Sequence, residues 1–497
     1  MERRERAAGV LLHISSLPGK EGIGTLGESA YRFADWLKRS GAKYWQILPL
    51  VQTGFGDSPY QSAFASSGNP YFIDLFALAE RGLLKKQEIS PVCRKDIDYG
   101  FLYEEKYRIL RRAFSRFDKN DPDFCAFVAG GEFEDYAMYM AVKQKSGNKS
   151  FDLWEKKYKF RDAAALAAFK EEHEGEYLFW QFLQYEFSRQ WRALKSYVNG
   201  LGIRIIGDIP LYVAADSADV WANPRLFKLK ANLKPKKVAG VPPDYFSATG
   251  QLWGNPVYDW KVHEAEGFSW WCERIRRSFA LYDAVRIDHF RGFDRYFEID
   301  AGAETAVGGR WRKGPGTALF DAVKASLGAL DLIAEDLGTL DAGVYRLMKR
   351  TGFPGMKVIQ FAFDGNPKNP YLPENIGENS VCYTGTHDND TMLGYLEGLD
   401  ENERKGFCAR LRAALRKQGI GARVSGANSA AKAAVELALS TKAHLAVLPM
   451  QDVFLSGSGT RMNTPSVPAG NWKYRLAAFP SEKSADKLAE LFRKYGR

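Results

Sequence analysis

The chain has 497 residues, of which 45% are hydrophobic, 26% are charged and 14% are aromatic. At about 150 residues per domain, this length predicts about three domain-sized units or one large α/β barrel with insertions. The composition excludes an intrinsically disordered chain and a collagen-like chain. Because no apolar run approaches the roughly 20 residues that a membrane-spanning helix needs, we also predict that the protein does not cross a membrane.

The charge balance raises the question of a polyanionic partner. Lys and Arg together number 70 against 60 Asp and Glu, which gives a formal net charge of +10. The densest basic stretch, Arg225 to Lys237, has six basic residues and no acidic one, but its only aromatic residue is Phe227 and it matches no nucleic-acid-binding module. We therefore interpret it as a solvated loop and predict no nucleic-acid partner.

The N-terminal residues and the cysteines indicate the compartment. MERRERAAGVLLHI begins like a secretory signal, but its apolar stretch is short, includes His13 and lacks a small-residue cleavage site, so we interpret it as a strand. The five cysteines are scattered and show no CxxC spacing, which argues against a disulfide framework and a zinc site. We therefore expect a cytoplasmic protein.

Short β-branched runs alternate along the chain with amphipathic stretches, which favours a parallel sheet covered by helices. Eight strands with intervening helices favour an α/β fold of the closed (β/α)8 TIM-barrel type over an open doubly wound sheet. The eight candidates are GVLLHI from Gly9, YWQILPL from Tyr44, IRIIGDI from Ile203, DAVRID from Asp283, LDLIAED from Leu330, MKVIQFAF from Met356, SVCYTGTHD from Ser380 and HLAVLPMQD from His444.

Two gaps between strand candidates are longer than a crossover requires. Residues 76–200 carry helical patterns throughout, so we predict a helical insertion subdomain between the start of the barrel in 1–75 and its remainder in 201–497. Residues 214–265 are rich in Pro, Gly, Asn and aromatic residues without periodicity. Here we predict a long loop insertion without regular structure at the barrel mouth, where such loops are often functional.

Acidic residues stand at the carboxyl ends of four strand candidates, where a barrel brings side chains together at one face. Any one of them could instead be a helix N-cap. Arg286 and His387 accompany them, and carboxylates with Arg and His suit an enzyme that acts on an acetal, since one carboxyl must be ionised and one protonated while others hold hydroxyls. The four acids are Asp208, Asp288, Glu335 and Asp388.

Aromatic residues form a second group, in loops rich in Gly and Pro rather than on periodic faces. They are Tyr60, Tyr245, Phe246 and Trp253. Such residues can simply pack a loop against the barrel, but a sugar ring also places its apolar C–H face on an aromatic plane while its hydroxyls take polar partners. Aromatic platforms beside carboxylates therefore favour a carbohydrate substrate.

Other site chemistries fit less well. Gly22 to Gly27 matches GxGxxG, but seven residues separate it from the preceding strand and the next strand ends without an acidic residue to bind a ribose, so we interpret it as a turn. The chain has six histidines and no HExxH motif or EF-hand loop, and no GxSxG elbow follows a strand. We therefore predict neither a metal nor a cofactor.

Several strings in the sequence are recognisable: LLHISSLPGKEGIGTLG, YWQILPL, GDSPYQS, IRIIGDIPLYVA, AGVPPDYFSATGQLWGNP, VRIDHFRGF, IAEDLG, PGMKVIQFAFDG, YTGTHDNDT and MQDVF, RMNTP and GNW. They closely resemble the amylomaltases, the bacterial 4-α-glucanotransferases, from about residue 8 to 476. The chain is similar to the short form of that family, without an extra N-terminal domain. Two stretches depart from the family pattern, namely KLKANLKPKK and AFASSGNP.

The resemblance implies a (β/α)8 barrel of the α-amylase superfamily that acts on α-1,4-glucans and maltooligosaccharides with retention of configuration. It implies that Asp288 in RIDHF is the nucleophile, Glu335 in AEDLG the general acid/base and Asp388 in THDND the acid that stabilises the transition state. The loop insertion 214–265 then belongs to the acceptor site. The residues that match the family's substrate-binding positions are Tyr60, Asp208, Tyr245, Phe246, Trp253, Arg286, His387 and Asn463.

The three acids do not by themselves separate a transferase from a hydrolase, because either water or a sugar can attack the same intermediate. The resemblance favours transfer from a donor maltooligosaccharide or starch to an acceptor glucose or glucan. The alternatives are a glucan hydrolase and a non-catalytic protein that binds glucan or polyanion. We expect a monomer or a weak homo-oligomer.

Overall fold

The computed structural model describes residues 5–243, 247–338, 340–467 and 469–497, and for Phe55 the backbone alone. Eight parallel strands close into a barrel in the order β1-β12-β11-β10-β9-β6-β3-β2. Each of the eight strand candidates overlaps one barrel strand, and the predicted (β/α)8 barrel is confirmed. The strands are β1 Ala7–Leu11, β2 Tyr44–Gln46, β3 Arg204–Ile209, β4 Lys237–Val241, β5 Gln251–Pro256, β6 Ala284–Ile287, β7 Arg295–Asp300, β8 Arg310–Lys313, β9 Leu332–Ala334, β10 Gly355–Val358, β11 Ser380–Tyr383 and β12 Leu445–Pro449.

Helices connect the barrel strands and surround the barrel. A π-helical turn, Leu102–Lys106, makes α3 and α4 one continuous helix. The α-helices are α1 Glu28–Arg39, α2 Leu75–Glu80, α3 Tyr99–Phe101, α4 Tyr107–Arg116, α5 Pro122–Ala129, α6 Glu134–Lys145, α7 Lys156–Lys159, α8 Ala163–Glu172, α9 Glu174–Gly200, α10 Ala218–Ala222, α11 Trp260–Ala265, α12 Ser269–Leu281, α13 Thr317–Leu327, α14 Ala342–Thr351, α15 Met392–Gly398, α16 Glu401–Lys417, α17 Ala427–Ser440, α18 Met450–Val453 and α19 Glu482–Lys494.

The connection from β2 to β3 is much longer than the others and contains α2 to α9. Its last helix, α9, packs against β3, α1 and α6, so it closes the crossover and supports the inserted helices. Aromatic rings hold these helices together, for example Phe117 against Phe124 at 5.1 Å and against Phe182 at 4.9 Å. Residues 76–200 are therefore largely helical, while the division of the chain into subdomains at residues 75 and 200 stays an interpretation.

The prediction of a loop without regular structure over residues 214–265 is wrong. This segment contains α10, α11, β4 and β5, and these two strands belong to an antiparallel sheet of order β5-β4-β7-β8. In that sheet β4 pairs with β7, so that Lys237 lies opposite Asp300. The strands escape sequence reasoning because β7, the strand that pairs with β4, is distant in the chain, and because each of the two strands contains a glycine, which weakens a strand pattern.

The barrel core is apolar, and its strands are buried along nearly their whole length. Parallel strands in a barrel all end at the same face, so loops after β3, β6, β9 and β11 meet there. Among the described residues, none of the helices combines the length and the apolar character that crossing a membrane requires.

Candidate active site

The carboxyl ends of the barrel strands bring the predicted catalytic side chains together. The backbone ladder continues by one hydrogen bond beyond two strands, because the N–H of Asp288 donates to the carbonyl of Ile209 at 3.0 Å and that of Glu335 to the carbonyl of Ile287 at 3.1 Å. These bonds fix where the acids leave the sheet. The side chains are Asp208 in β3, Arg286 in β6, Asp288 directly after β6, Glu335 directly after β9, and His387 and Asp388 in the loop after β11.

Arg286 is the central cation of the site and is buried. Its Nη1 donates to both carboxylate oxygens of Asp208, at 2.7 and 2.8 Å, and its Nη2 donates to Oδ1 of Asp288 at 3.0 Å. The hydroxyl of Tyr60 donates to Asp208 at 2.7 Å. The Asp288 side chain is 29% exposed, against 0% for Asp208, so Asp288 is the carboxylate of this group that reaches the cleft.

Glu335 is held by backbone groups. Its Oε2 accepts the N–H of His289 and its Oε1 accepts the N–H of Leu337, each at 2.8 Å. Burial raises the pKa of Glu335 to about 7, with Arg286 opposing that rise and Asp288 adding to it. The carboxyl can therefore both give and take a proton near neutral pH.

Asp388 is held by side chains instead. Asn463 donates from Nδ2 to its Oδ1 at 2.6 Å, and Nε2 of His387 lies 3.3 Å from its Oδ2. Burial disfavours the ionised form, but the charge of His387 and the hydrogen bonds from His387 and Asn463 outweigh it and hold the pKa of Asp388 well below its usual range. Asp388 is therefore an anion at neutral pH.

Aromatic rings line one side of this group. Tyr60 stacks on His387, with ring centroids 5.2 Å apart and planes 18° from parallel. Trp472 lies 5.6 Å from Tyr60 and 6.0 Å from His387, so that three rings form a continuous wall. The wall joins the loops after β2 and β11 to the C-terminal segment of the chain.

Trp253 lies on β5, in the second sheet, and meets the barrel site from another direction. Its ring is 4.9 Å from that of His289 at an interplanar angle of 88°, and its Nε1 donates to Gln251 at 3.1 Å. The predictions for Tyr245 and Phe246 lie outside the described residues. The remaining predicted site residues are brought together around the cleft.

Sequence reasoning missed two residues that support the site. Arg461 donates from Nη2 to the carbonyl of Asp388 and from Nε to that of Asn463, both at 2.7 Å, so it fixes the backbone of both. Trp472 completes the aromatic wall. Both stand in recognisable strings, RMNTP and GNW, which were the available signal. Within the described ranges, no three His, Cys, Asp or Glu residues are grouped as metal ligands.

The sequence profile of the 4-alpha-glucanotransferase family matches residues 12–480. The chain belongs to this family. Similar relatives are the 4-alpha-glucanotransferases of Clostridium butyricum and Thermus thermophilus, each 47% identical over 496 residues. The alignments cover 98% of this chain, with 100% of the first relative and 97% of the second. The enzyme is therefore a 4-α-glucanotransferase, as the resemblance implied.

Solved structures agree with this assignment. The amylomaltase from Streptococcus agalactiae, solved in complex with acarbose, superposes with a TM-score of 0.93 at 38% identity and covers 99% of this chain and 100% of its own. The amylomaltase from Corynebacterium glutamicum shares the fold, with a TM-score of 0.79 at 19% identity over 99% of this chain and 75% of its own. The recognition of an amylomaltase-type transferase is thus confirmed.

Proposed function

We propose that the enzyme transfers α-1,4-glucan segments by a retaining double displacement, with Asp288 as nucleophile, Glu335 as general acid/base and Asp388 as stabilising anion. The donor is a maltooligosaccharide or starch, and the acceptor is glucose or a glucan. The observation that carries this proposal is that one face of the barrel brings together Asp288, bonded to Arg286 at 3.0 Å, Glu335, whose pKa burial raises, and Asp388, whose pKa lies below its usual range. Two carboxyls in opposite protonation states are what acetal chemistry at neutral pH requires.

In the first step, Asp288 attacks the anomeric carbon while protonated Glu335 gives its proton to the leaving glycosidic oxygen. Arg286 donates from Nη2 to Oδ1 of Asp288 at 3.0 Å and so orients the side chain that attacks. In the second step, ionised Glu335 takes the proton of the acceptor hydroxyl as that oxygen attacks the glycosyl-enzyme. Configuration is retained because two inversions occur.

Asp388 and its partners would act on the donor sugar at the reacting position. The oxocarbenium-like transition state carries positive charge, and an anion that is already ionised stabilises it without reorganisation. The hydrogen bond from Asn463 and the proximity of His387 fix the Asp388 carboxylate, which would then accept hydrogen bonds from sugar hydroxyls. Tyr60, which is partly exposed, offers a ring against which a sugar face can pack, and the buried Trp472 supports that ring.

Trapping the glycosyl-enzyme tests the mechanism. Glu335→Gln incubated with α-maltosyl fluoride should accumulate a covalent adduct, because fluoride leaves without an acid whereas the second step lacks its base. Peptide mass spectrometry should place the adduct on Asp288. The matched control is Glu335→Gln with Asp288→Asn, which should form none. An adduct on another residue, or β-configured products from wild-type enzyme, would overturn the proposal.

Preference for transfer over hydrolysis must come from the acceptor site, since water is present at about 55 M and the sugar needs a large effective concentration. We propose that Tyr245, Phe246 and Trp253 bind the acceptor. Phe246→Ala should slow maltotriose disproportionation and raise the ratio of hydrolysis to transfer, with little change in melting temperature. An unchanged ratio would indicate that Phe246 only packs the loop.

We further propose a cytoplasmic monomer or weak homo-oligomer without a nucleic-acid partner. The basic stretch supports the absence of a nucleic-acid partner, because three of its lysines face carboxylates. Lys228 pairs with Glu298 at 2.6 Å, Lys237 with Asp300 at 2.6 Å and Lys234 with Asp152 at 3.5 Å. A neutralised surface has little electrostatic affinity for phosphates. Sedimentation with and without duplex DNA at low salt should show one small species that is unaffected by DNA.

A further inference from the structure

His289 follows Asp288 and has a backbone conformation that is rare for a residue with a side chain. Its φ is +51° and its ψ is +47°, in the left-handed region. This region is disfavoured for residues with a Cβ atom and is usually occupied by Gly or Asn. Strained backbone that persists in an active site points to a positional requirement at that residue.

The left-handed turn aims the backbone at Glu335. The N–H of His289 donates to Oε2 of Glu335 at 2.8 Å, and the next N–H, that of Phe290, donates to the backbone carbonyl of Glu335 at 3.2 Å. Two successive N–H groups therefore bind one residue, on its side chain and on its main chain. A negative φ at His289 would rotate the N–H of Phe290 relative to the N–H of His289, so that the two bonds to Glu335 could not form together.

The ring of His289 has a different partner. It meets Trp253 edge to face, with centroids 4.9 Å apart at 88°. Burial lowers its pKa to about 4, so the imidazole is neutral at neutral pH. Its Nε2 is buried and has no hydrogen-bond partner within the part of the chain that the structure describes. Packing against Trp253 is therefore the main contact of the ring that the structure shows.

We propose that His289 is a positioning residue that joins Glu335 to Trp253, its backbone N–H holding the carboxyl and its ring holding the indole. Proton transfer and acceptor binding are then set by one residue next to the nucleophile. The inference rests on the proposed role of Glu335 as acid/base. It assigns His289 no contact with the reacting atoms.

The two functions of His289 can be separated by substitution. Gly and Asn tolerate a left-handed φ, so His289→Gly and His289→Asn keep the N–H in place and remove the ring. Val, which is β-branched, resists that φ, so His289→Val loses the ring and also prevents the two N–H groups from binding Glu335 together. Ala also disfavours a left-handed φ, although less strongly than Val. His289→Ala therefore replaces His289→Val if the Val variant fails to fold.

The pH profile of kcat/KM for maltotriose distinguishes the variants. A donated N–H favours the ionised form of Glu335, so its loss should raise the alkaline pKa of the profile, by about one pH unit in His289→Val. Arg286, Asp288, Arg291 and Tyr371 also face Glu335, and none is altered. His289→Gly and His289→Asn should keep the alkaline pKa of the wild-type profile. Equal profiles in all variants would overturn the backbone function.

The ring is tested by a double-mutant cycle with Trp253→Ala, which measures the acceptor KM and the ratio of hydrolysis to transfer. His289→Gly should raise the acceptor KM several-fold in wild-type background and have little further effect once Trp253 is absent. Additive effects would overturn the ring function. Glu335→Gln in the same assay keeps the inferences distinct, since retained transfer there would refute the role of Glu335 and not the geometry of His289.

Discussion

The loop after β9 and the loop after β11 each present one carboxyl group to the barrel mouth, Glu335 in the first and Asp388 in the second. Glu335 accepts two backbone N–H groups, whereas Asp388 is bound by the side chains of His387 and Asn463. The pKa of Glu335 is about 7, and that of Asp388 lies below its usual range.

The difference shows what it takes to keep a carboxyl ionised in a partly buried site. The charge of Arg286 and two amide dipoles favour the anion of Glu335, but they do not offset its loss of hydration, and the charge of Asp288 opposes them. At Asp388 the charge of His387 and the hydrogen bonds from His387 and Asn463 do offset the burial, and the carboxylate in turn raises the pKa of His387 above its usual value despite the burial of that ring. Each loop thus carries the partners that suit the proposed role of its carboxyl group.

The largest expected effect comes from replacing each acid. Glu335→Gln should lower kcat for maltotriose by about 10⁴-fold. It should lower the rate of the first step with α-maltosyl fluoride far less, because fluoride leaves without an acid. Asp388→Asn should lower both by about 10³-fold or more, because both pass through the same charged transition state. Single-turnover rates with the two donors check this. Equal losses of Glu335→Gln on both donors would contradict the assigned roles.

A smaller effect should follow when Asp388 loses one of its partners. Asn463→Ala removes the hydrogen bond of 2.6 Å to Asp388 and should lower kcat/KM by about 10- to 100-fold, since a bond to a charged group contributes about 1.5–3 kcal/mol. Steady-state kcat/KM with maltotriose as substrate measures this loss. Asn120→Ala, at an exposed position in the helical insertion, is the control and should leave the rate unchanged.

The pH dependence should follow Glu335. The first step needs its protonated form, so kcat/KM should fall above the pKa of about 7, by about tenfold per pH unit well above it. With α-maltosyl fluoride in single-turnover assays, this alkaline fall should disappear. A fall that persists with the fluoride would assign the titration to another group.

The smallest effect concerns stability. The pKa of Glu335 is raised from 4.5 to about 7 on folding, so its contribution to stability is fully present below pH 4.5 and is lost as the pH rises through 7. Glu335→Gln removes that loss and should stabilise the enzyme more at pH 8 than at pH 5, by on the order of 1–2 kcal/mol. Thermal unfolding at both pH values measures the difference, and an equal change at both would contradict it.

The local sequence pattern was sufficient to predict the barrel and the positions of its acidic residues. A buried β strand has a continuous apolar run that can be read directly, and in a (β/α)8 barrel the residue that ends such a run lies at the functional face. Asp288 and Glu335 could therefore be placed at the functional face of the barrel without knowledge of any tertiary contact. The same reasoning failed for β4 and β5, since β4 pairs with β7, which lies further along the chain, and β5 pairs with β4.

Pattern and motif along the chain were enough to predict the barrel, the family and the acids that end its strands. The protonation states depend on burial and on groups that folding brings together, since Asn463 is 75 residues from Asp388 and the charge of Arg286 reaches Glu335 from another strand. Folding also sets the left-handed turn at His289 beside Glu335. A pKa depends on burial and on charges within a few ångströms, and these distances exist only after the chain has folded.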